Sequence, residues 1–127
     1  RDKSIEIMRE NIKNLGIRNI KIKRINIYEK TADKNADVFL LDLPEPWRAI
    51  ENATKSLKVG GFLVIYTPTI NQMQSAMNKI MEHDTLMPVK TVEVIEREWK
   101  VAGQVVRPIS KSNIHSGFIS FVRKIGL

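Results

Sequence analysis

The chain has 127 residues, no cysteine and a formal net charge of +7, with 21 Lys and Arg against 14 Asp and Glu. This length fits at most one domain, and the lack of cysteine excludes disulfides, thiolate nucleophiles and cysteine-based zinc sites. No apolar run reaches the roughly 18 residues that a membrane span needs, and no secretory signal is visible, so we expect a cytoplasmic protein without a membrane partner. The basic excess is compatible with a polyanionic partner and equally with a Lys-rich solubilising surface.

The first half of the chain is predicted to fold as a helix followed by two strands. Apolar residues recur at helical spacing, then alternate, and then run continuously, which are the patterns of an amphipathic helix, a half-buried strand and a buried strand. The predicted elements are a helix over 5–15 with Ser4 as N-cap and Gly16 as stop, a strand over 20–28, a polar loop over 30–36, and a buried strand over 37–43 that ends at Asp42.

The second half is predicted to continue the alternation of strands and helices, which is typical of a parallel α/β sheet. The predicted elements are a helix over 47–57, a strand over 62–66 after a turn at Gly60-Gly61, a helix over 69–82 capped by Thr69, extended pieces over 91–99 and 101–106 around a hairpin turn or a bulge at Gly103-Gln104, and a strand over 117–122. The two late extended pieces are expected to form an antiparallel edge of the sheet.

The hexapeptide Asp42-Leu43-Pro44-Glu45-Pro46-Trp47 is the most informative motif. It places an acid at the C-terminal end of a predicted strand, and ligands of open α/β sheets bind outside the carboxyl ends of the strands. The two prolines fix φ near −65° and remove two backbone donors. The turn is therefore stiff, and a stiff turn holds one carboxylate still.

This motif resembles the D-L-P-x-P-W sequence of the S-adenosylmethionine-dependent methyltransferases that modify N1 of adenine in the tRNA T-loop. Other segments resemble the family in consistent order from about Arg1 to Ile125, namely 57–62, 66–68, 71–72, 96–99, 107–108 and 115–118. The resemblance implies an α/β fold, the C-terminal part of a Rossmann-like class I methyltransferase sheet, mostly parallel with an antiparallel edge. It further implies S-adenosylmethionine as cofactor, tRNA as partner and a homotetramer.

One family feature is not found in this sequence. The cofactor domain of such enzymes begins with a strand and a Gly-rich loop, whereas no G-x-G-x-G occurs here. We therefore expect residues 1–127 to be the C-terminal portion of the catalytic domain, without its cofactor-loop half, and inactive alone. The predicted strand over 20–28 then lacks its neighbour, so we expect it to be disordered, displaced or paired with another chain.

Asp42 is the candidate catalytic residue. Its carboxylate is suited to accept a hydrogen bond from the adenine N6 amino group, to orient N1 and to favour the positive charge that methylation creates. The alternative is that Asp42 only caps the next helix. Pro44 and Trp47 are candidates for shaping the base pocket, because an aromatic ring stacks on an extruded base; for Trp47 the alternative is core packing.

The resemblance implies cofactor contacts at Asn26, Asp42 and Leu43. Asn26 stands where the family often carries an acid, and an ordinary residue at a strand end is the alternative. Gln72 is a candidate contact to the substrate base, or a surface residue at a helix start.

Arg107 and His115 resemble tRNA-facing positions of the family. Arg107 is suited to hold a phosphate, or else to pair with Glu96 or Glu98. His115 has no second ligand at metal-binding spacing, so we expect a hydrogen-bonded structural histidine and no metal site. The basic cluster Lys21, Lys23 and Arg24 is either an RNA patch or a solvated strand face.

Two other functions remain open at this point. A cofactor-free partner subunit that only presents tRNA is disfavoured by the retained Asp42. A small-molecule methyltransferase on the same sheet is disfavoured by the closing motifs between Glu96 and Phe118.

Overall fold

The structure is a computed structural model that describes residues 2–31, 33–110 and 116–127. Its elements in chain order are α1 (Asp2–Asn14), β1 (Ala36–Asp42), a 3-10 turn (Pro46–Arg48), α2 (Ile50–Ser56), β2 (Leu57–Thr67), α3 (Ile70–Met81), β3 (Leu86–Glu93), β4 (Trp99–Ala102), β5 (Val105–Pro108) and β6 (Phe118–Lys124). Within these ranges no helix is both long and apolar enough to span a membrane.

Four strands form the main sheet in the order β1-β2-β6-β3. β1 and β2 are parallel, and β6 runs antiparallel to both of its neighbours. β1, β2 and β3 therefore point the same way, which confirms the predicted mostly parallel α/β sheet. The antiparallel strand β6 lies inside the sheet, between β2 and β3. The late extended pair that was expected to form an antiparallel edge forms instead a separate two-stranded hairpin, β4–β5.

The hydrophobic core lies on the face of the sheet that packs against α2 and α3. Alternate residues of the strands point to this face and meet the apolar sides of the two helices, as the period of two in a strand requires. The buried hydrophobic residues that form this core are Leu41, Ala49, Ile50, Ala53, Leu57, Leu63, Ile65, Ala76, Ile80, Leu86 and Val122.

β1 is not the buried strand that its apolar run predicts. Of its residues only Leu41 is buried, while Val38 and Leu40 are 57% and 65% exposed. The physical reason is position: β1 is at the edge of the sheet, and Val38 and Leu40 point away from α2 and α3. A continuous apolar run cannot by itself distinguish a strand covered on two faces from one covered on a single face.

The segment over 20–28 does not form the predicted strand. Residues 20–26 pair with no described strand, and a turn follows, in agreement with the expectation that this segment lacks its neighbour. Side chains of α2 and its entry hold the end of the segment instead. Asn52 donates to the carbonyl of Ile27 at 2.8 Å, and Arg48 lies over the ring of Tyr28, 5.0 Å from its centre.

The glycine pair Gly60-Gly61 lies within a strand and not in a turn before it. β2 starts directly at the end of α2, and its register with β1 shifts between Ala36 and Val38. A side chain on Gly61 would place a Cβ 3.0 Å from the carbonyl oxygen of Asp37. Gly61 is therefore required by the close approach of the backbone, and Gly60 by its positive φ of 84°.

Candidate active site

Asp42 is the last residue of β1, at the carboxyl edge of the sheet, opposite Tyr66 in the register with β2. It is exposed, and within the described ranges no hydrogen bond or ion pair occupies its carboxylate. It does not cap a helix, since the 3-10 turn begins after Glu45 and α2 begins after Ala49. The carboxylate is therefore available to a ligand.

The proline turn after Asp42 is held from both sides. Arg48 forms an ion pair with Glu45 at 2.7 Å across the turn. Gln72, in the first turn of α3, donates from its amide nitrogen to the carbonyl of Pro44 at 3.0 Å and accepts from the hydroxyl of Thr69 at 2.8 Å. Gln72 thus positions the turn in this structure, and its direct contact with a substrate base stays a prediction.

The three ring residues of the turn have different surroundings. Pro46 is fully buried and Pro44 is exposed. Trp47 is partly buried and packs against the hydrophobic core, as the alternative interpretation of this residue expects. Pro44 is therefore the ring that faces solvent beside Asp42.

Tyr66 connects Asp42 to the chain that enters β6, a role that sequence reasoning missed. Its hydroxyl donates to the carbonyl of Ser116 at 2.5 Å. Gly117, at φ 136°, permits this contact, because a Cβ there would lie 2.6 Å from the Tyr66 ring. The motifs that contain Tyr66 and Gly117 were visible in the sequence, but only the fold brings these residues together.

An open cleft of about 570 Å³ adjoins the Asp42 edge, and its lining includes Asn26, Ile27, Tyr28 and Leu43. Two of the predicted cofactor residues, Asn26 and Leu43, therefore meet at one cleft. The Asn26 amide is engaged with its own turn: its oxygen accepts from the backbone N–H of Tyr28 at 3.2 Å, and its nitrogen donates to Glu29 at 2.7 Å. The lining is mixed, because the cations Lys23 and Arg24 border the cleft beside the apolar Ile25, Ile27 and Leu43. Its apolar part is suited to pack against the adenosine of S-adenosylmethionine.

The remaining predicted site residues lie elsewhere. Arg107 is on β5, donates to the hydroxyl of Ser110 at 3.3 Å, and forms no ion pair with Glu96 or Glu98. His115 lies outside the described residues. The described ranges contain no group of three or more His, Asp or Glu side chains that fits a metal ion.

The basic cluster over 21–24 is partly neutralised. Lys23 forms an ion pair with Asp33, and Arg24 pairs with Asp2 at 2.8 Å. These contacts support a solvated segment over an RNA patch, because acids already occupy two of its three cations.

The fold is that of one class of protein, the S-adenosylmethionine-dependent methyltransferases. The whole chain superposes on 48% of an S-adenosylmethionine-dependent O-methyltransferase from Thermotoga maritima, with a TM-score of 0.89 and 27% identity. It also superposes on 51% of the tRNA (m1A58) methyltransferase TrmI from Aquifex aeolicus, with a TM-score of 0.81. The second match, at 22% identity, supports the fold alone.

The sequence narrows this class to one family. Residues 6–116 match the family described as the tRNA methyltransferase complex GCD14 subunit, and the chain belongs to it. The chain is 38% identical over 109 residues to the tRNA (adenine(57)-N(1)/adenine(58)-N(1))-methyltransferase TrmI of Methanocaldococcus jannaschii, covering 85% of this chain and 38% of that protein. It is 35% identical over 88 residues to the tRNA (adenine(58)-N(1))-methyltransferase TrmI of Thermus thermophilus, covering 69% of this chain and 34% of that protein.

These matches confirm the family resemblance and S-adenosylmethionine as the methyl donor of the class. The chain spans little more than a third of the length of the curated relatives that it matches.

Proposed function

We propose that the complete protein transfers a methyl group from S-adenosylmethionine to N1 of a T-loop adenine in tRNA. The observation that carries the proposal is the exposed carboxylate of Asp42 at the end of β1, which bonds to none of the residues that the structure describes and precedes a turn held by Arg48 and Gln72. The names of the archaeal and bacterial relatives support the adenine N1 position.

The reaction requires positioning more than proton transfer. Adenine N1 carries no proton, so its attack on a methyl group needs no general base, and the product ring gains a positive charge. A carboxylate that accepts a hydrogen bond from the N6 amino group fixes the direction of the N1 lone pair. The same carboxylate stabilises the charge that develops on the ring. Asp42 is suited to both tasks because its turn is held by Arg48 and Gln72 and because no cation of residues 2–31, 33–110 and 116–127 pairs with it.

The cleft beside Leu43 is proposed to form part of the cofactor site. Ile27 and Leu43 would pack against the adenosine, and Asn26 would shape the turn that receives it. S-adenosylmethionine supplies, when bound, a methyl group on a sulfonium that accepts attack from a neutral nitrogen. The target base must leave the RNA stack to reach this edge, and the exposure of Pro44 two residues after Asp42 supports a contact between its ring and the base.

Replacement of Asp42 tests the proposal in the complete protein. We expect Asp42→Ala to lower kcat for tRNA methylation about 100-fold or more, the scale of losing a principal electrostatic contact in a transition state. Asp37→Ala is the matched control, since Asp37 is an exposed acid at the other end of the same strand. Transfer of labelled methyl to tRNA, with mapping of the modified base, gives both rates. Near-normal turnover of Asp42→Ala, or modification of another atom, would contradict the assignment.

The inactivity of the isolated 127-residue chain stays a prediction, as do the homotetramer and the cytoplasmic location. Calorimetric titration of the isolated chain with S-adenosylmethionine checks the first. Micromolar binding would mean that the cleft walls described above suffice for the cofactor.

A further inference from the structure

The hairpin β4–β5 emerges from the edge of the sheet that carries Asp42. It lies between β3 and β6, and the hydroxyl of Ser116 donates to the carbonyl of Val94 at 2.8 Å across its base. The carbonyl of Ser116 is in turn bonded by Tyr66, the register partner of Asp42. The hairpin is thus tied through two hydrogen bonds to the neighbour of the catalytic candidate.

The two faces of this hairpin differ in chemistry. One face carries Trp99, Val101, Val106 and Pro108, which pair across the strands. The other carries a cross-strand pair of cations, Lys100 opposite Arg107. Residues that pair directly across an antiparallel ladder have Cβ atoms about 5 Å apart, and like charges at such a pair repel each other.

No acid within the described ranges relieves this repulsion. Neither Lys100 nor Arg107 forms an ion pair there, although Glu96 and Glu98 lie on the preceding segment. Among the residues that the structure describes, the Arg107 guanidinium donates to the hydroxyl of Ser110 at 3.3 Å. Lys100, Arg107, Ile109 and Ser110 line an open cleft of about 420 Å³, many times the roughly 30 Å³ share of one water molecule. Two cations and a hydroxyl therefore border one solvent-open space, together with the apolar Ile109.

We propose that Lys100 and Arg107 form a phosphate clamp that grips a phosphodiester of the tRNA near the target adenine. A guanidinium fork matches two phosphate oxygens, and an ammonium adds a mobile point charge. An anion placed between two facing cations attracts both of them and offsets their mutual repulsion. Phosphate binding therefore gains free energy from the repulsion that is present in the free hairpin. The hydroxyl of Ser110 accepts one hydrogen bond from the guanidinium at 3.3 Å, which leaves its other N–H groups for the phosphate. Contacts to phosphate set register rather than sequence, which is what a hairpin tied to the Asp42 edge is placed to do.

The clamp rests on the proposed function, since it takes tRNA as the substrate, and binding separates the two. The experiment compares the complete wild-type protein with the double variant Lys100→Gln/Arg107→Gln, using an unmodified tRNA transcript and fluorescence anisotropy across salt concentrations. Loss of two phosphate contacts is expected to weaken binding about tenfold or more near physiological salt. The slope of log K against log salt is expected to flatten by about 1.4 to 1.8.

The matched control is Arg9→Gln/Lys13→Gln on α1, which removes the same two charges from an exposed helix. We expect this control to bind tRNA nearly as wild type does. If both double variants weaken binding equally, net charge alone acts and the clamp is wrong. The clamp is also wrong if the Lys100/Arg107 variant keeps the wild-type salt slope, or if sedimentation shows that its defect comes from altered subunit assembly.

tRNA binding by the clamp variant and methylation by the wild-type protein test the clamp and the proposed function separately. If the clamp variant binds tRNA normally and the complete wild-type protein methylates adenine N1, the clamp fails and the proposed function stands. If the clamp variant loses affinity while saturating tRNA restores the wild-type kcat, the cations act in binding and not in the chemical step, as proposed. Thermal melting checks that the exposed substitutions leave the fold intact.

Discussion

The two faces of the main sheet contrast sharply in how they are covered. On one face Leu63 and Ile65 are completely buried beneath α2 and α3. On the other, the alternate residues of the same strands are only partly buried, and Val38 and Leu40 of β1 are mostly exposed. The strands have apolar residues on both faces, so their composition is that of a sheet covered twice, while the described chain covers it once.

The contrast extends to the outer edge of β1. An open groove of about 550 Å³ separates this strand from α1 and the unpaired segment over 20–28. α1 has no buried residue, although it is amphipathic, and Ile5 and Met8 line the groove together with Val38 and Leu40. The apolar faces here were predicted by periodicity, yet nothing in the described chain fills the space between them. The face of the sheet under α2 and α3 is thus a packed core, whereas the other face and the outer edge of β1 border open space.

The largest expected effect tests the buried face against the bare one with the same substitution. Leu63→Ala removes a completely buried side chain and is expected to lower the free energy of unfolding by about 2.7–5 kcal/mol, through lost burial and the cavity left behind. Leu40→Ala, on the bare face, is expected to stay within about 0.5 kcal/mol. Urea denaturation of both variants measures the difference. A similar, large loss at Leu40 would mean that this face is covered in solution.

The next effect compares two adjacent basic residues of β6 on opposite faces. Lys124 is buried and donates to the carbonyls of Thr54 and Leu57 at 2.9 and 2.8 Å, at the C-terminal end of α2. Lys124→Met leaves these buried acceptors without that donor, which costs about 1–3 kcal/mol. Arg123 lies over the ring of Phe62 on the other face, and Arg123→Met is expected to cost about 1 kcal/mol or less.

Urea denaturation of Lys124→Met and Arg123→Met gives the loss of unfolding free energy at each position. Equal losses at positions 123 and 124 would show that the two faces do not differ in the way the buried lysine requires. A melting experiment with Lys124→Arg adds a control, because it retains a donor at the end of α2 while testing the space around it.

The smallest effect concerns an exposed ion pair at the start of β1. The Lys58 ammonium hydrogen-bonds to Asp37 and attracts its charge, which lowers the pKa of this carboxyl below its ordinary value. Because the folded-state pKa is the lower one, the stabilisation is present above the unfolded-state pKa and is lost as the pH falls through the folded-state pKa. We expect Lys58→Ala to raise the pKa of Asp37 in an NMR titration, and salt to weaken the difference. An unchanged pKa would show that the pair does not form in solution.

Local sequence signals predicted the bounds of several helices, strands and turns well. The helix over 69–82 starts at its Thr69 cap, and the strand ending at Asp42 is one residue offset from the predicted bounds. The turn at Gly103-Gln104 joins β4 and β5 as expected. These features depend on neighbours within a few residues, so the sequence contains their causes.

The candidate site was predicted in part for the same reason. The proline hexapeptide identified Asp42 and the stiffness of its turn, both of which are local properties. The roles of Arg48, which bridges Glu45 and covers Tyr28, and of Tyr66, which holds Ser116, were not predicted. The Glu45–Arg48 pair is local, three residues apart. The contacts of Arg48 with Tyr28 and of Tyr66 with Ser116 join residues that are distant in sequence, and no short pattern encodes such contacts.

The sequence alone determined the family, the order of most helices and strands, and the acid at the carboxyl edge, because motif and periodicity are properties of the chain itself. Only the tertiary structure decided that β6 inserts between β2 and β3, that β1 is an edge strand with a bare face, and that the segment over 20–28 is held by α2 instead of a strand. It also decided that Lys100 and Arg107 face each other across a hairpin tied to Tyr66. These outcomes depend on which surfaces of the chain pack together, because the burial of a residue and the partner of a charge are defined only in the folded structure.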